Sequence, residues 1–428
     1  MPQLKKMRAW IVTVDMGYGH QRVIMPIASF FEKEKVITAN NYPGIPESDK
    51  KEWSKSLNSY YFVSRMKQKG FWGNLIFSLF DYYQKVLPFY PKRSLSKPTF
   101  QLKSTYNRIA NGWGRHLIKT ISQDSYPLVT TFFTTAFMAE YWNYPGPILV
   151  IVTDSDISRA WAPLNPNKSK IIYCASTQRS AERLQEYGVL EKNIVYTGFP
   201  LPNELTSNIK LIGKRIGRLD PQKKFIKKYP SVCHKYFPLS SKQQRTPIII
   251  TFVVGGAGTQ ADIGGELIKN FSSLIENDSV VFNLIAGTNH EAANYFEKSV
   301  YEAGMEKYLG NRISIRHFSD KQKYLDDFDK VLEQTDILWT KPSELSFYAA
   351  LGIPLVMTPP VGSHEEKNRD WLLEIGSGIN QPSTSYAAEW FLDLLKEGRF
   401  AEMAWQGFIE MERKGTENIL KLIKKNSP

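Results

Sequence analysis

Three short segments combine glycine, acidic, basic and histidine residues in patterns that could bind phosphate and catalyse a group transfer. The first is Asp15-Met16-Gly17-Tyr18-Gly19-His20, which directly follows a β-branched run and precedes an apparent helix. Glycines at such a junction allow a tight turn and close backbone approach to a phosphate or sugar, and a helix amino terminus favours negative charge. We therefore predict a phosphate or acceptor loop at Gly17, Tyr18 and Gly19. His20 is the candidate general base, and a packed or helix-capping histidine is its alternative role.

The second segment, residues 252–260, again has the order strand, glycine-rich loop and helix. It has neither the lysine of a Walker loop nor the full dinucleotide-binding fingerprint, which argues against an ATPase and a dehydrogenase. Backbone amides of such a loop can hold a diphosphate without a metal, and a purely structural turn is the alternative. The candidate donor-binding residues of this loop are Gly255, Gly256, Gly258, Thr259 and Gln260.

The third segment gathers polar residues after two further apparent strands. Thr340-Lys341-Pro342-Ser343-Glu344 follows one strand, and residues 362–368, Gly-Ser-His-Glu-Glu-Lys-Asn, follow the next. In open α/β sheets, ligands bind outside the carboxyl ends of the strands, so we expect all three segments to face one cleft. Asp154 and Asp156 follow another apparent strand and are alternative bases, although a turn-capping role is favoured for Asp156.

The elements that must position these residues alternate between short β-branched runs and helical segments, which is typical of parallel sheets covered by helices. The pattern predicts strands at 10–14, 128–132, 148–152, 171–174 and 194–196, and a second series at 247–254, 280–286, 313–316, 337–339 and 354–357. We predict an amino-terminal domain at 1–204, a linker with a helical insertion at 205–246, a carboxyl-terminal domain at 247–400, and terminal helices at 401–428 that cross back to the first domain.

Composition excludes several classes of protein. The 428 residues are 42% apolar, which is enough for real cores and argues against intrinsic disorder. Two distant cysteines offer neither a disulfide framework nor a zinc cluster, and the histidines show no metal-ligand spacing, so no metal is expected. We read no secretory signal and no apolar run long enough to span a bilayer.

The chain has 55 lysine and arginine residues against 42 acidic ones, a net charge of +13, which favours an anionic partner. Residues 53–93 interleave many aromatic residues with cations and contain a single acidic residue, Asp81. Such a stretch is a candidate contact with an anionic membrane surface, and a helical subdomain of the core is the alternative. Nucleic acid is not expected as a partner, because the cations are dispersed and no recognised module is present.

Taken together, the segments resemble the GT-B glycosyltransferases, in the branch that holds MurG, monogalactosyldiacylglycerol synthases and processive diacylglycerol glucosyltransferases. The resemblance covers most of the chain in the family's order. Its motifs are Gly17, Gly19 and His20; Val152-Thr153-Asp154 with Trp161; Thr197-Gly198-Phe199-Pro200; Thr340-Lys341-Pro342; Gly352-Ile353-Pro354; and Gly362 to Asn368.

The resemblance implies two Rossmann-like doubly wound domains with an interdomain cleft. It implies metal-independent, inverting transfer of a sugar from a UDP-sugar to a lipid hydroxyl, with no cofactor, by a cytoplasmic enzyme peripheral to the inner face of the plasma membrane. His20 and Asp154 would be catalytic. The donor would be held by the glycine-rich loop and by Lys341 at phosphate, Ser343, Glu344 at ribose, and Glu365, Glu366 and Asn368 at the sugar.

Two alternatives remain open at the level of the sequence. One is a GT-B enzyme of soluble substrates, such as a nucleotide-sugar epimerase or a transferase with a soluble acceptor. The other is a catalytically inactive binding protein with the same fold. The second alternative rests on Ser158, where the family usually has histidine, and on Ser343-Glu344, where the family has paired glycines.

Overall fold

The computed structural model describes residues 6–66, 86–236, 247–255, 258 and 260–428. Gly256, Thr259 and the central part of the aromatic and basic stretch, residues 67–85, lie outside the described residues. The chain groups into two compact units. Unit 1 comprises Met1–Leu201, Val361–Asn368 and Lys414–Pro428, and unit 2 comprises Pro202–Pro360 and Arg369–Arg413.

Unit 1 is built on a six-stranded parallel sheet with the order β2-β1-β3-β4-β5-β6. The strands are β1 (Trp10–Thr13), β2 (Val36–Thr38), β3 (Leu128–Thr130), β4 (Ile148–Ile151), β5 (Ile172–Ala175) and β6 (Ile194–Tyr196). β3 and β4 are buried along their whole length, as expected for strands covered by helices on both faces. The helices of this part of the chain are α1 (Gly19–Ala28), α2 (Glu47–Met66), α3 (Phe100–Ala110), α4 (Arg115–Ile121), α5 (Phe133–Tyr141) and α6 (Gln178–Glu186).

Unit 2 contains a second six-stranded parallel sheet, with the order β12-β11-β10-β7-β8-β9. Its strands are β7 (Ile248–Val253), β8 (Val280–Gly287), β9 (Ile313–His317), β10 (Ile337–Thr340), β11 (Leu355–Met357) and β12 (Gly378–Asn380). The remaining helices are α7 (Asn203–Thr206), α8 (Ile209–Leu219), α9 (Lys224–Lys228), α10 (Pro230–Tyr236), α11 (Ala261–Asn270), α12 (Ser272–Glu276), α13 (His290–Glu302), α14 (Lys321–Gln334), α15 (Ser363–Glu374), α16 (Ala387–Lys396), α17 (Arg399–Glu410) and α18 (Gly415–Lys425).

Unit 1 contains two later segments of the chain in addition to its first 201 residues. The start of α15 belongs to unit 1 through Asn368, and the whole of α18 also belongs to it. The Oγ1 of Thr416 donates to the carbonyl of Leu201 at 2.6 Å, and the Nδ2 of Asn418 donates to the carbonyl of Thr197 at 3.0 Å. Unit 1 is therefore assembled from three separate stretches of sequence.

The predicted α/β fold with two Rossmann-like sheets is confirmed, and all ten predicted strands occur within a residue or two of the expected bounds. The sequence patterns missed β2 and β12, which are three-residue strands at the edges of their sheets. Between β10 and β11, residues Glu344–Leu351 form a 3₁₀-helix of eight residues. The predicted domain boundaries stay predictions.

Gly352 ends this 3₁₀-helix in the left-handed region, with φ of +70°. A Cβ atom at this position would overlap the Cδ1 of Ile212 in α8. We expect Gly352→Ala to lower the free energy of unfolding by about 2–4 kcal/mol, since backbone strain adds to overpacking. Urea denaturation measures this effect. Gly310→Ala is the control, because Gly310 has φ of +78° but nothing within 4 Å of an added Cβ; an equal loss in both variants would contradict the overpacking.

Candidate active site

The loop after β1 is held in place by the loop after β2. The backbone N–H of Asp15 donates to the Oδ1 of Asn40 at 2.8 Å, and the Nδ2 of Asn40 donates to the carbonyl of Asp15 at 3.1 Å. Gly17 then adopts φ of +92°, a conformation that favours glycine. This turn leads into α1, which begins at Gly19, so the predicted phosphate or acceptor loop lies at the carboxyl edge of the first sheet.

His20 lies in the first turn of α1 and contacts a cluster of aromatic side chains. Its ring meets the ring of Phe132 edge to face, with centroids 5.2 Å apart. Phe132 follows β3 and also contacts Phe133 at 4.8 Å and Trp53 of α2 at 6.0 Å. Phe133 in turn contacts Trp161 at 5.2 Å. The candidate base therefore lies beside a cluster of aromatic rings formed by Phe132, Phe133, Trp53 and Trp161.

Asp154 follows β4, and its carboxylate is bonded to a residue in the first half of α15. The Nδ2 of Asn368 donates to the Oδ1 of Asp154 at 3.1 Å. The Oδ1 of Asn368 accepts from both the backbone N–H and the Oγ of Ser155, at 2.9 and 2.7 Å. Asn368 is fully buried, so its amide fixes the direction of the Asp154 carboxylate. A predicted catalytic residue and a predicted donor residue thus meet within unit 1.

Asp156, the other candidate base, is tied into a buried ion pair. Its carboxylate accepts two hydrogen bonds from the guanidinium of Arg183, each at 2.9 Å, and its Oδ1 also accepts from the N–H of Ile157 at 2.8 Å. Arg183 and Asp156 are 0% and 1% exposed. The turn-capping interpretation of Asp156 agrees with this geometry, which leaves Asp154 as the better placed of the two carboxylates.

We expect Asp156→Ala to lower the free energy of unfolding by about 3–5 kcal/mol, because it leaves the Arg183 guanidinium buried without its main partner. Chemical denaturation measures this loss. Asp327→Ala is the control, since Asp327 forms an exposed pair with Lys330 and its removal should change stability little. Similar stability of the two variants would show that the Arg183 pair does not hold this loop.

In unit 2, the loops that follow β7 and β10 lie in contact. A Cβ atom on Gly255 would lie 2.8 Å from the Cε and 3.4 Å from the Nζ of Lys341, so the lysine side chain lies across the glycine. β7 and β10 are hydrogen-bonded neighbours, and both loops leave their carboxyl ends. The structure therefore brings together two of the predicted donor-binding residues, one supplying backbone and the other a cation.

The same loop is packed against two further strand ends. A Cβ atom on Gly258 would overlap the Nδ2 of Asn289, which follows β8 and whose Oδ1 accepts from the N–H of Ala292 at 2.8 Å. The side chain of Gln260 bonds the loop after β11, since its Oε1 accepts from Thr358 at 2.7 Å and its Nε2 donates to the carbonyl of Pro359 at 2.8 Å. Gln260 therefore has a bridging role within unit 2.

The remaining predicted donor residues differ in how much of each side chain is already engaged. Ser343 is buried and its Oγ accepts from the N–H of Leu345 at 3.4 Å, and Glu344 follows it in a half-buried position. Glu365 is 2% exposed, and its Oε2 accepts from the N–H of Val361 at 2.7 Å. Glu366 is exposed. The two glutamates of α15 therefore have different surroundings although they are adjacent in sequence.

Sequence reasoning did not single out Phe132 or Asn289. Phe132 is the last residue of a predicted strand, and Asn289 lies two residues after β8 and caps the next helix, so a position at the end of a strand was the available signal. Thr358 has the same signal after β11. Their contacts depend on which strands are neighbours in the sheet, and strand order is not readable from local patterns.

The comparisons with known proteins agree with the resemblance. A family model described as "Domain of unknown function (DUF6938)" matches residues 311–416, about a quarter of the chain. The curated relatives include a processive diacylglycerol β-glucosyltransferase of Bacillus cereus (strain G9842), 23% identical over 389 residues, which are 88% of this chain and 82% of that protein. The same enzyme of Bacillus subtilis (strain 168) is 20% identical over 282 residues, 65% of this chain and 63% of that protein.

Among solved structures, the UDP-GlcNAc 2-epimerase from Neisseria meningitidis bound to UDP-GlcNAc matches with a TM-score of 0.50 and 14% identity, over 98% of this chain and 100% of that chain. This likeness shows the fold. In the part of the chain that the structure describes, no helix is long and apolar enough to cross a bilayer. The resemblance to the processive diacylglycerol glucosyltransferases is thus confirmed by curated homologues, and these homologues support the predicted class of enzyme, a glycosyltransferase with the GT-B fold.

Proposed function

We propose that this protein transfers a glucosyl or related residue from a UDP-sugar to the hydroxyl of a diacylglycerol-type lipid, with inversion at the anomeric carbon. The observation that carries the proposal is the position of His20. Its imidazole lies beside a cluster of aromatic rings at the carboxyl edge of the first sheet. An imidazole can accept the proton of a hydroxyl, and the half-buried rings of Phe132 and Phe133 suit the apolar part of a lipid. The names of the curated relatives support the same acceptor.

The chemical step that this site would perform is a single displacement. As the acceptor oxygen forms its bond to the anomeric carbon, the imidazole of His20 takes the hydroxyl proton, and the bond from that carbon to the UDP oxygen breaks with its electron pair leaving on UDP. Asp154 would orient the acceptor or the sugar, and Asn368 would hold the Asp154 carboxylate in position. Correct placement of the reactants supplies much of the rate enhancement in such a step.

The donor would bind at the carboxyl edge of the second sheet. Backbone amides between Gly255 and Gly258, the amino terminus of α11 and the ammonium of Lys341 would together neutralise the diphosphate. Glu344 is proposed for the ribose hydroxyls and the exposed Glu366 for the sugar hydroxyls. No metal and no cofactor form part of this proposal.

We also propose that the enzyme works at the cytoplasmic face of an anionic membrane. The described residues at the end of the aromatic and basic stretch support a lipid-facing surface, since Leu87 and Tyr90 are 39% and 69% exposed. The ring of Phe89 contacts Tyr90 at 5.2 Å and lies under the Nζ of Lys92 at 4.2 Å. Aromatic rings beside cations are typical of contacts with the headgroup layer.

The test is incubation of the purified protein with UDP-glucose and diacylglycerol in detergent micelles, followed by mass spectrometry of the lipids. Formation of glucosyldiacylglycerol with release of UDP is the expected result. The fold is shared with a UDP-GlcNAc 2-epimerase, so a parallel incubation with UDP-GlcNAc alone should give no epimer. Epimer formation without lipid product, or UDP binding without either reaction, would overturn the proposed transferase.

A further inference from the structure

The positive charge of this chain is concentrated in two stretches. Residues 207–236 contain nine lysine and arginine residues and one aspartate, a net charge of +8. Residues 53–93 contain seven lysine and arginine residues and one aspartate, a net charge of +6. The other 357 residues contain 39 basic and 40 acidic side chains and are close to neutral. The first stretch covers α8, α9 and α10 of unit 2, and the proposed function gives it no role.

The two arginines of this stretch serve the structure of unit 2. Arg215 is buried, and it donates to the carbonyls of Thr335, Leu351 and Leu332 at 2.7 Å each. Arg218 pairs with the buried Asp336. These bonds fix α8 against the ends of neighbouring elements, so the arginines are not available to an external partner.

The lysines, by contrast, all face solvent. We call the following seven residues the lysine layer: Lys210, Lys214, Lys223, Lys224, Lys227, Lys228 and Lys235, each of which is exposed. α8 buries Ile212, Ile216 and Leu219 on its opposite side, and α8 and α9 both pack against α17. Two layer members reach glutamates, Lys228 to Glu402 at 2.7 Å and Lys224 to Glu397 at 3.9 Å, which leaves the surface strongly positive.

The groove next to the lysine layer does not suit an anionic ligand. A groove of about 800 Å³ lies beside α9, but its charged lining residues are Glu374, Glu402, Glu410 and Arg399, a combination that does not favour an anion. The lysines instead extend along three successive helices. An extended anionic plane can meet such a layer without entering a cavity.

Aromatic and aliphatic side chains accompany the lysines. Tyr236 is 38% exposed with the Nζ of Lys235 4.9 Å from its ring, and Ile209 at the start of α8 is 46% exposed. The Nζ of Lys228 lies 5.2 Å from the ring of Tyr229. Lysine together with tyrosine and an exposed aliphatic residue suits the headgroup layer of a bilayer. Phosphate recognition in nucleic acids favours arginine instead, and both arginines of this stretch are bonded within unit 2.

We propose that the lysine layer of unit 2 is a docking surface for an anionic lipid bilayer, in addition to the aromatic and basic stretch of unit 1. This inference rests on the proposed function and adds to it a second contact with the membrane in which the acceptor resides. Each lysine near an anionic surface strengthens binding about fivefold. The attraction weakens as salt screens the charges.

The experiment compares the unaltered protein and a Lys210→Gln/Lys214→Gln/Lys227→Gln variant in flotation with vesicles that contain phosphatidylglycerol and with vesicles of phosphatidylcholine alone. We expect the variant to bind the anionic vesicles about 100-fold more weakly. The matched control is Lys298→Gln/Lys307→Gln/Lys330→Gln, which removes the same charge from exposed lysines of unit 2 outside the layer and should bind as the unaltered protein does. Equal loss in both variants would overturn the proposal, because the effect would then come from net charge alone.

Two further readouts separate this inference from its alternatives. Unchanged transfer to diacylglycerol in detergent micelles by the layer variant would show that the fold and the active site are intact. Failure of the unaltered protein in that micelle assay would instead count against the proposed function, whatever the vesicles show. If the layer variant lost affinity for a duplex RNA while keeping its vesicle binding, the docking surface would be assigned to nucleic acid and the lipid proposal would be wrong.

Discussion

Replacement of His20 with alanine is expected to lower kcat for sugar transfer by about 10²–10⁴-fold, the usual contribution of a positioned general base. The KM for the UDP-sugar should change little, because His20 lies in unit 1 and the proposed donor residues of the glycine-rich loop lie in unit 2. The measurement is the initial rate of lipid glycosylation in detergent micelles at saturating donor. Only a neutral imidazole can accept a proton, so the rate of the unaltered enzyme should fall when acid protonates His20.

The control for this variant is His116→Ala, which removes another histidine of unit 1. His116 is exposed at α4 and bonds the hydroxyl of Tyr42 at 2.9 Å through Nδ1, far in sequence from the proposed catalytic residues. Its loss should leave the transfer rate and the pH profile unchanged. A His20→Ala variant with full activity, or one that keeps the acidic limb of the pH profile, would remove His20 from the mechanism and direct attention to Asp154.

Replacement of Gly258 with alanine should weaken binding of UDP about 30-fold or more. Gly258 has φ of +68°, and an added Cβ would overlap the side-chain amide of Asn289, so both strain and crowding must displace the loop that is proposed to hold the diphosphate. Isothermal titration with UDP measures the affinity directly and requires no acceptor. The stability of the variant should fall less than its affinity, because the loop lies at the edge of the sheet and outside the core cluster of unit 2.

Gly304→Ala provides a close match for this substitution. Gly304 has φ of +67°, almost the same as Gly258, but nothing lies within 4 Å of an added Cβ. Its replacement should cost some stability and leave UDP affinity intact. A second substitution, Asn289→Ser, shortens the crowding side chain while keeping an oxygen that can cap α13, and it should restore part of the affinity to Gly258→Ala. If UDP binds equally well to the Gly258 and Gly304 variants, this loop does not hold the donor.

Much of the architecture was predictable because buried strands in parallel sheets are continuous apolar runs. β4, β8 and β10 were recognised in this way, whereas β2 and β12 have three residues each and lie at sheet edges, where no apolar run is required. The 3₁₀-helix at Glu344–Leu351 has the composition of an ordinary helix. It ends at the left-handed Gly352, and local propensity does not distinguish its 3₁₀ winding from that of an α-helix.

The candidate site shows where sequence reasoning ends. The loops themselves were predicted, since glycines and polar residues after strands have a direct physical reason. The partners of those residues were not, because Asn368 lies 213 residues from Ser155 and Arg183 lies 27 residues from Asp156, and such contacts depend on tertiary structure. Gly256, Thr259 and the roles proposed for the other donor residues stay predictions.

Because unit 1 is assembled from three stretches of chain, recombination between homologous genes cannot easily exchange it as a whole. A single recombination point near Leu201 would transfer the sheet without α18 and without Asn368, leaving the carbonyls of Leu201 and Thr197 and the amide of Ser155 without these partners. Homologous proteins could therefore exchange unit 1 with its internal contacts intact only by exchanging all three stretches together, or by substitutions made one residue at a time. The crossovers that transfer all of unit 1 would also cut unit 2 into separate stretches. We therefore expect the two units to be inherited together.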